Sequence, residues 1–388
     1  MLTTTPFEEP AERHELRAMI EQILSVQLPT PKALEIDREG RFDRELWETL
    51  GEAGVLGLSA SESVGGSGGT VGDAVAAAEE LARVLPSLAV DFVTCGMAMR
   101  MLAEEDAGPS AKHLASIAAG TTVCAFGMSE PSVGTDLLNL RTTARENDGK
   151  WVINGQKTWT SLAQESDIIF VLARTEPVQD GKKGRGLSII AVPTDQPGIT
   201  IRRVHLAGMR AAITCEVFFD NVEAPIENLV GQRGAAIRTL SQTLDIERVL
   251  AAGISLGIGR GALDLHVSYA KDREAFGAPI GALQAVQHPA ANSISELTAA
   301  RALINTTVRQ IDGGEKALEL SAMAKLFASE VTARIVDRGM RSMGAMGLAE
   351  ESAMQLFFRD ARLQLFSPIS NEMIRNILGE SLGLPRSY

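Results

Sequence analysis

The chain has 388 residues, of which 45% are hydrophobic and 22% are charged, the balance of a folded protein with room for two or three compact units. Its formal net charge of −12 and its aromatic content of 4% argue against a broad basic face for nucleic acid or anionic lipid, and against aromatic platforms that stack bases. Disorder is excluded as the main state because apolar residues are plentiful.

Neither the cysteines nor the histidines are spaced as metal ligands, and an odd cysteine count does not favour a disulfide framework. The N-terminal sequence is acidic and polar and lacks the pattern of a signal peptide. No apolar run approaches the roughly 18–20 residues of a membrane span. The sequence therefore predicts a cytoplasmic protein with no metal site and no membrane span. The residues concerned are Cys95, Cys124, Cys215, His14, His113, His205, His266 and His288.

Residues 1–120 are predicted to form an N-terminal α-helical domain. Phe42, Leu46 and Leu50 recur at helical spacing, and residues 74–85 are rich in helix formers. Glycines at 65–69 interrupt the helices. Such a cluster could cradle a phosphate, but it follows no predicted strand, so a plain loop is the favoured interpretation.

Residues 121–230 are predicted to form a middle β domain. β-Branched runs at 167–173 and 187–193 indicate two strands, and the glycine-rich, charged segment 179–186 indicates a hairpin loop between them. Residues 151–157 contain Asn154-Gly155, read as a turn pair, and residues 215–220 alternate as a strand does. These signals predict an antiparallel β unit.

Residues 231–388 are predicted to form a C-terminal α-helical domain, with breaks near 272–280, 312–316 and 344–347. Three glycines, Gly257, Gly259 and Gly261, form a partial nucleotide-binding pattern, but they lie inside a predicted helix, so close helix packing is the favoured explanation. The order helical, β, helical is not the βαβ alternation of a dinucleotide-binding fold.

Glu247 is the first candidate for chemistry. With Leu240, Leu244, Leu250 and Ile254 it falls on one helix face, because the steps are three or four residues. A carboxylate within an apolar stripe is costly to ionise, so its pKa rises toward the range of a general base. A structural ion pair with a neighbouring helix is the open alternative.

Three further segments carry weaker signals. The turn-rich loop 124–136 could line a polar cofactor edge, or could simply connect two elements. Trp159 could cover a flat cofactor while Ser161 donates a hydrogen bond, or it could be a core tryptophan. Arg273 could bind a pyrophosphate bidentately, or lie on the surface of a helix-to-helix turn.

Taken in order, these segments resemble the acyl-CoA dehydrogenase family over nearly the whole chain. Residues 129–136 (SEPSVGTD) resemble its first signature, residues 154–161 (NGQKTWTS) its flavin-contacting strand, and residues 273–280 (REAFGAPI) its arginine-phenylalanine-glycine turn. The resemblance implies an FAD enzyme with an N-terminal helical domain, a β domain and a C-terminal four-helix bundle.

For the flavin ring, the resemblance implies that Phe126, Met128 and Ser129 meet the pyrimidine edge, that Trp159 covers the ring and that Ser161 hydrogen-bonds N5. For the rest of the cofactor, it implies contacts to the adenosine diphosphate part, partly from a neighbouring subunit of a homotetramer or dimer. These residues are Arg273, Phe276, Gln284, Arg341 and Gly344.

On the substrate side, the resemblance places Thr135 near the pantetheine arm, and Arg248 and Pro368 beside the acyl thioester. Many family members carry the base in a stretch that aligns here with Ser367-Pro368, which has no carboxylate. The isovaleryl-CoA dehydrogenase branch carries it in an Asp-Leu-Glu-Arg context, which matches Asp245-Ile-Glu247-Arg248. Glu247 is therefore the expected catalytic base.

Two departures from the family are visible. Proline has no N–H, so Pro368 cannot donate the hydrogen bond that the aligned residue gives the thioester oxygen in the resembling enzymes. Either another group replaces it, or the substrate is branched, cyclic or already unsaturated and is oxidised further from the carbonyl. Arg341 stands where the family often has glutamine, and an arginine could still contact the FAD pyrophosphate.

The sequence thus predicts an FAD-dependent acyl-thioester dehydrogenase that uses acyl-CoA or an acyl-carrier protein and passes electrons to an electron-transfer flavoprotein. The alternative on the same fold is a flavin-dependent monooxygenase, which needs no carboxylate base. A nucleic-acid-associated relative is disfavoured by the net charge of −12.

Overall fold

The computed structural model describes residues 9–104, 112–178 and 181–386. Six helices build its N-terminal part. α4 begins at a capping box in which the Thr70 hydroxyl accepts from the Asp73 N–H, and the Asp73 carboxylate accepts from the Thr70 N–H. The helices are α1 Ala11–Gln27, α2 Thr30–Glu39, α3 Arg44–Glu52, α4 Val71–Val84, α5 Pro86–Glu104 and α6 Leu114–Ala118.

The glycine cluster is a loop, as predicted. It follows a short 3₁₀ turn at Glu62–Val64, and Gly65 and Gly68 adopt positive φ values of 89° and 69°. No strand among the described residues precedes it in the chain, so the phosphate cradle lacks its usual strand-to-helix frame.

The middle part is one eight-stranded sheet, in which seven strands follow the order β6-β7-β3-β2-β4-β5-β8 and β1 pairs with β4. Most pairs are antiparallel, but β1 and β2 both run parallel to β4. The prediction of an antiparallel unit is therefore wrong in this respect, and the sheet is mixed. The strands are β1 Cys124–Gly127, β2 Thr143–Asn147, β3 Lys150–Thr160, β4 Ile168–Arg174, β5 Leu187–Pro193, β6 Ile199–Arg203, β7 Cys215–Pro225 and β8 Leu229–Val230.

The Asn154-Gly155 pair is not a turn, which corrects the sequence interpretation. β3 runs straight through it, with a register shift against β7 between Ile153 and Gly155. A side chain at Gly155 would lie 2.4 Å from the Thr142 hydroxyl, so the glycine permits a close approach of two chains. The hairpin turn lies instead at Asp148-Gly149, where both residues have positive φ.

The C-terminal part is helical. Three long helices and α12 form the bundle, and a small hairpin joins the first two helices. This confirms the predicted order of helical, β and helical parts. The elements are α7 Ala236–Asp272, β9 Glu274–Ala275, β10 Ala278–Pro279, α8 Gln284–Asp312, α9 Leu318–Met343, α10 Ala345–Leu348, α11 Ala353–Asp360 and α12 Asn371–Ser381.

The glycines of α7 pack against other helices, as predicted. A Cβ atom at Gly257 would lie 2.2 Å from the Glu79 carbonyl of α4, and one at Gly261 would lie 2.6 Å from the Arg83 carbonyl. At Gly259 it would meet Leu297 of α8 and Thr332 of α9. The glycines thus let α7 lie close to its neighbours, and among the described residues no helix is long and apolar enough to cross a membrane.

Candidate active site

Glu247 lies in the first third of α7 on a stripe of apolar side chains. Burial raises the pKa of Glu247 to about 7, and the positive charge of Arg248 opposes the rise. Within the described part of the chain, no cation forms an ion pair with this carboxylate. The structural ion pair that the sequence left open is therefore absent there, and the carboxyl has the pKa of a general base at neutral pH.

Arg248 follows Glu247 and is only 4% exposed. Its Nε and Nη1 atoms are buried and have no acceptor among the described residues. Burial lowers the pKa of Arg248, while Asp245 and Glu247 oppose that shift. A buried guanidinium with free donors is costly unless a partner completes it, so Arg248 is a candidate for contact with a ligand.

Two segments that the sequence assigned to the flavin ring lie side by side. Phe126, Met128 and Ser129 are half-buried at the end of β1. The backbone N–H of Thr158 on β3 donates to the Ser129 carbonyl at 2.9 Å. Trp159, the next residue, is 59% exposed with a φ of 57°. The structure therefore brings the two segments together.

Lys157 fixes this arrangement and was missed by the sequence reasoning. Its side chain is fully buried, and its ammonium donates to the Met128 carbonyl and to the Glu130 carboxylate, both at 3.0 Å. Glu130 also accepts from the N–H groups of Arg141 and Thr142 at 2.7 and 2.8 Å. Lys157 lies inside the matched motif, but nothing in the sequence says which way its side chain points.

The second group of predicted cofactor residues lies at the far end of the bundle. Arg273 and Phe276 form the hairpin after α7, and Phe276 is 95% exposed with a φ of 55°. Gln284 begins α8, and Gly344 directly follows α9 with a φ of 60°. Arg341 exposes 80% of its side chain and pairs with Asp337 at 3.0 Å.

A cavity of about 590 Å³ lies between α8 and α9 in this second group. Its wall carries Arg334, Arg338 and Arg341, and only Asp337 brings a negative charge. Guanidinium groups of this kind bind phosphate oxygens bidentately, so the cavity suits an anionic ligand such as a pyrophosphate.

The arginine turn lies far from Glu247 within one chain. Arg273 follows Glu247 by 26 positions on α7 and its C-cap, which corresponds to about 39 Å along the helix at 1.5 Å per residue.

A basic cavity that the sequence reasoning missed lies beside the start of α7. It measures about 720 Å³ and is lined by the side chains of four cations and one carboxylate, Glu176. Its residues come from the β4–β5 loop and from positions 233–241, some 50 residues later, so only the fold unites them. The cations are Lys182, Arg185, Arg233 and Arg238.

This basic cavity shares a helix face with Glu247. Ile237 lines the cavity and belongs to the same stripe as Leu240 and Glu247, ten residues or about 15 Å away. Thr135 is exposed in the loop that leads to Leu138, and Leu138 lies next to Gly184 in the cavity wall.

Pro368 is exposed in the short segment between α11 and α12. Behind the segment, the ammonium of Lys325 donates to the Ile369 carbonyl at 2.6 Å and to Asn371 at 2.8 Å. Ser161 is half-buried just after β3. The structure thus places Pro368 beside a buried cation that the sequence gave no reason to single out.

The residues present suit FAD. Trp159 and Phe276 offer large exposed aromatic faces on the surface, where a planar ring system would bury them. The arginine-lined cavity between α8 and α9 suits a pyrophosphate. Among the described residues, no group of three His, Cys, Asp or Glu side chains is placed to hold a metal ion.

Three family models match the chain in succession. They describe the N-terminal, middle and C-terminal domains of acyl-CoA dehydrogenase, and they match residues 10–121, 125–222 and 235–383 respectively.

Individual proteins agree over the full length. The chain is 33% identical to acyl-CoA dehydrogenase FadE12 of Mycobacterium tuberculosis, over 100% of both chains. It is 32% identical to cyclohex-1-ene-1-carbonyl-CoA dehydrogenase of Geobacter metallireducens, over 92% of this chain and 94% of that one. A crystal structure of acyl-CoA dehydrogenase from Geobacillus kaustophilus matches with a TM-score of 0.91 and 28% identity, over 97% of this chain and 99% of that one.

Proposed function

Because this chain belongs to the acyl-CoA dehydrogenase family and is an FAD-dependent oxidoreductase of CH–CH groups, we propose that Glu247 is its catalytic base. The observation that carries the proposal is the unpaired, half-buried Glu247 carboxyl, whose pKa burial raises to about 7. A base with this pKa is half ionised at neutral pH and holds the abstracted proton well.

In the reaction, the Glu247 carboxylate removes the proton α to the thioester carbonyl, and a hydride leaves the β carbon. FAD supplies the hydride acceptor when bound. The chain's residues orient the acyl group, exclude water and hold the proton on a Glu247 oxygen. Arg248, with its free buried donors, contributes a positive charge on the substrate side of α7. The double bond forms between the α and β carbons.

One FAD requires residues from two copies of the chain. Phe126, Met128, Ser129, Trp159 and Ser161 would hold the flavin ring in one copy. The turn at Arg273 lies about 39 Å along α7 from Glu247, too far to serve the same cofactor. Two copies are thus needed, and we assign the adenosine diphosphate part to a neighbouring copy in a homotetramer. Its residues are Arg273, Phe276, Gln284, Arg341 and Gly344.

We propose CoA as the carrier of the acyl group. The basic cavity lies about 15 Å along α7 from Glu247 on the same face. An extended pantetheine arm has the length of about four extended residues, roughly 14 Å, so a thioester at Glu247 places its phosphates at the cavity. Thr135 lies in the adjoining loop. A basic cavity with four cations suits a phosphorylated nucleotide better than the surface of a carrier protein.

Electron transfer to an electron-transfer flavoprotein and a cytoplasmic location complete the proposal. The first rests on the family. The second is supported by the three cysteines, all free and buried, as is usual in a reducing compartment.

The test is an anaerobic titration of the FAD-loaded enzyme with a panel of thioesters, each offered on CoA and on an acyl-carrier protein. The panel includes straight, branched and cyclic acyl groups, with cyclohex-1-ene-1-carbonyl-CoA among them because of the Geobacter relative. Bleaching of the flavin by CoA thioesters supports the proposal. No bleaching, with rapid oxidation of the reduced enzyme by oxygen and hydroxylated product, would favour a monooxygenase.

Glu247→Gln keeps the shape of the side chain and removes the base. We expect the rate of flavin bleaching to fall by at least 1,000-fold while FAD stays bound. General-base catalysis by one group typically contributes about 100- to 10,000-fold. Asp264→Asn changes a half-buried carboxylate further along the same helix, which pairs with Arg83 at 3.4 Å; it is the matched control and keeps the rate. A Glu247→Gln enzyme with near-normal bleaching rules out this residue as the base.

A further inference from the structure

The segment between α11 and α12 is held from behind by one buried lysine. Lys325 of α9 is fully buried, and its ammonium donates to the Ile369 carbonyl at 2.6 Å and to the Asn371 side chain at 2.8 Å. Ser329, one turn further along α9, bonds to Asn371 at 3.0 Å. The Ile369 carbonyl therefore points inward, toward α9.

Lys325 lies close to the helix that carries the base. Burial lowers the pKa of Lys325 to about 8; Glu372 opposes the shift and Arg248 adds to it. The charge of Arg248, the residue after Glu247, thus acts on Lys325 from α7. Lys325 therefore interacts electrostatically with Arg248, the neighbour of Glu247, and by a hydrogen bond with the Ile369 carbonyl, which links this segment to the helix that carries the proposed base.

Proton removal next to a thioester carbonyl moves negative charge onto the carbonyl oxygen. Such charge needs hydrogen-bond donors that are already in place, and the loss of one donor costs about 100–1,000-fold in rate. Pro368 has no N–H to offer. The segment must therefore present another donor, or the oxygen must be held elsewhere.

The peptide between Ile369 and Ser370 presents its N–H on the side away from Lys325. It is trans, since the one cis bond described in the chain is Ser367–Pro368. In a planar trans peptide the carbonyl and the N–H point in opposite directions, so anchoring the Ile369 carbonyl on Lys325 turns the Ser370 N–H away from α9. Within the described residues this N–H has no acceptor. The Ser370 hydroxyl caps α12 by accepting from the Met373 N–H at 3.2 Å.

We propose that the Ser370 N–H donates to the thioester carbonyl in place of the donor that Pro368 lacks, and that Lys325 is the positioning residue that aims it. This inference rests on the proposed function. The inference adds the binding site of the thioester carbonyl to that function. It supports ordinary desaturation between the α and β carbons rather than oxidation further along the acyl chain.

The decisive comparison is Ser370→Pro against Ser370→Ala. Both changes remove the capping hydroxyl, but only proline removes the N–H, and the Ser370 φ of −67° already suits proline. With the panel thioester that bleaches the flavin fastest, we expect Ser370→Pro to lower the bleaching rate about 100-fold or more relative to Ser370→Ala. Equal rates in the two variants overturn the proposal.

Lys325→Met tests the positioning role with a ligand pair. The first ligand is the same panel thioester, and the second is its S-alkyl-CoA counterpart, which lacks the carbonyl. We expect bleaching to slow at least tenfold and thioester affinity to fall, while S-alkyl-CoA affinity, FAD content and melting temperature stay near those of the Lys316→Met control. Equal loss of affinity for both ligands would mean a merely structural role and overturn the assignment.

The two proposals fail in different ways. A fully active Glu247→Gln enzyme would rule out Glu247 as the base. The comparison of Ser370→Pro with Ser370→Ala would still report on the carbonyl donor. If Ser370→Pro does not fold, the Lys325→Met ligand pair decides. A panel in which only distally oxidised products form also overturns the inference.

Discussion

Glu247, the proposed base, shows how position alone raises the pKa of a carboxyl. The chain has many carboxylates, and most of the buried ones are paired: Glu79 meets three arginines, and Glu130 meets Lys157 and two backbone N–H groups. Those partners hold the pKa values of both carboxyls below the ordinary range, although burial alone would raise them. Glu247 has only Arg248 beside it, so burial prevails and raises its pKa to about 7.

This raised pKa predicts that the base destabilises the folded protein at high pH. The pKa of this carboxyl is about 4.5 in the unfolded chain, the ordinary value for glutamate, and about 7 in the folded protein. The folded state therefore binds more protons between these values, and its stability falls as pH rises from about 4.5 to 7. Glutamine at 247 removes this dependence.

Glu247→Gln is expected to raise the free energy of unfolding relative to wild type by about 3 kcal/mol at pH 8, since the pKa shift from 4.5 to about 7 is worth about 1.4 kcal/mol per unit. The gain vanishes near pH 4.5. Denaturant melts of both proteins at the two pH values measure it, with Asp264→Asn as the control. A gain that does not change with pH would show that burial does not penalise the ionised base.

At the scale of elements, α7 is the frame of the site. Its 37 residues run from the basic cavity, past Glu247, to the arginine turn. Helix glycines set its distance from α4, since Gly257 stands where a Cβ would lie 2.2 Å from the Glu79 carbonyl. The helix can therefore shift only if this contact opens.

The loss of stability caused by alanine at each of these glycines should depend on the space available for its Cβ atom. At Gly253 the nearest atoms to an added Cβ lie at 3.1 Å, and at Gly257 the nearest is backbone at 2.2 Å. Gly257→Ala is expected to cost about 1–3 kcal/mol through overpacking, and Gly253→Ala distinctly less. Thermal and denaturant unfolding of both variants check the order, and equal losses at both sites would contradict the packing argument.

The same scale shows what sequence patterns can and cannot predict. The strands at 168–174 and 187–193 and the breaks around α8 are local signals, and they are confirmed. The parallel pairing of β1 with β4 and the straight path of β3 through Gly155 depend on contacts with distant chain segments, such as Thr142. No local pattern contains them, and the prediction was wrong there.

For the site, the divide is similar. Glu247 was predicted as the base because it shares one helix face with apolar residues. The flavin-binding segments were predicted from their resemblance to family motifs. Lys325 and the basic cavity were missed because their meaning lies in pairings 44 and about 50 residues apart. A buried lysine looks like any other lysine until the fold shows the carbonyl that it holds.

At the scale of the whole molecule, one cluster of charges joins the outer and inner helices. Glu79 of α4 is fully buried and pairs with Arg17 of α1, Arg260 of α7 and Arg301 of α8. Removing one partner of a buried ion pair typically costs about 3–5 kcal/mol. The cluster therefore fixes the N-terminal helices on the bundle and keeps α7 in one position relative to both.

The proposed assembly makes its own prediction, because in it each complete site needs Glu247 from one copy and Arg273 from another. Glu247→Gln chains lack the base, and Arg273→Ala chains are expected to lose FAD. In a mixed pair, one of the two sites receives the intact Glu247 of one chain and the intact Arg273 of the other. With random pairing, half of the dimers are mixed, so about a quarter of wild-type activity should return.

Co-expression of the two variants, each inactive by itself, followed by the flavin-bleaching assay measures this recovery. The control co-expresses Glu247→Gln chains with Ser370→Pro chains. Both changes fall in the same half of the site, so each site of a mixed pair carries one of them and no activity beyond that of the separate variants should return. Activity that stays at the background of the separate variants would place Arg273 and Glu247 in the same copy's site, against the 39 Å that α7 puts between them.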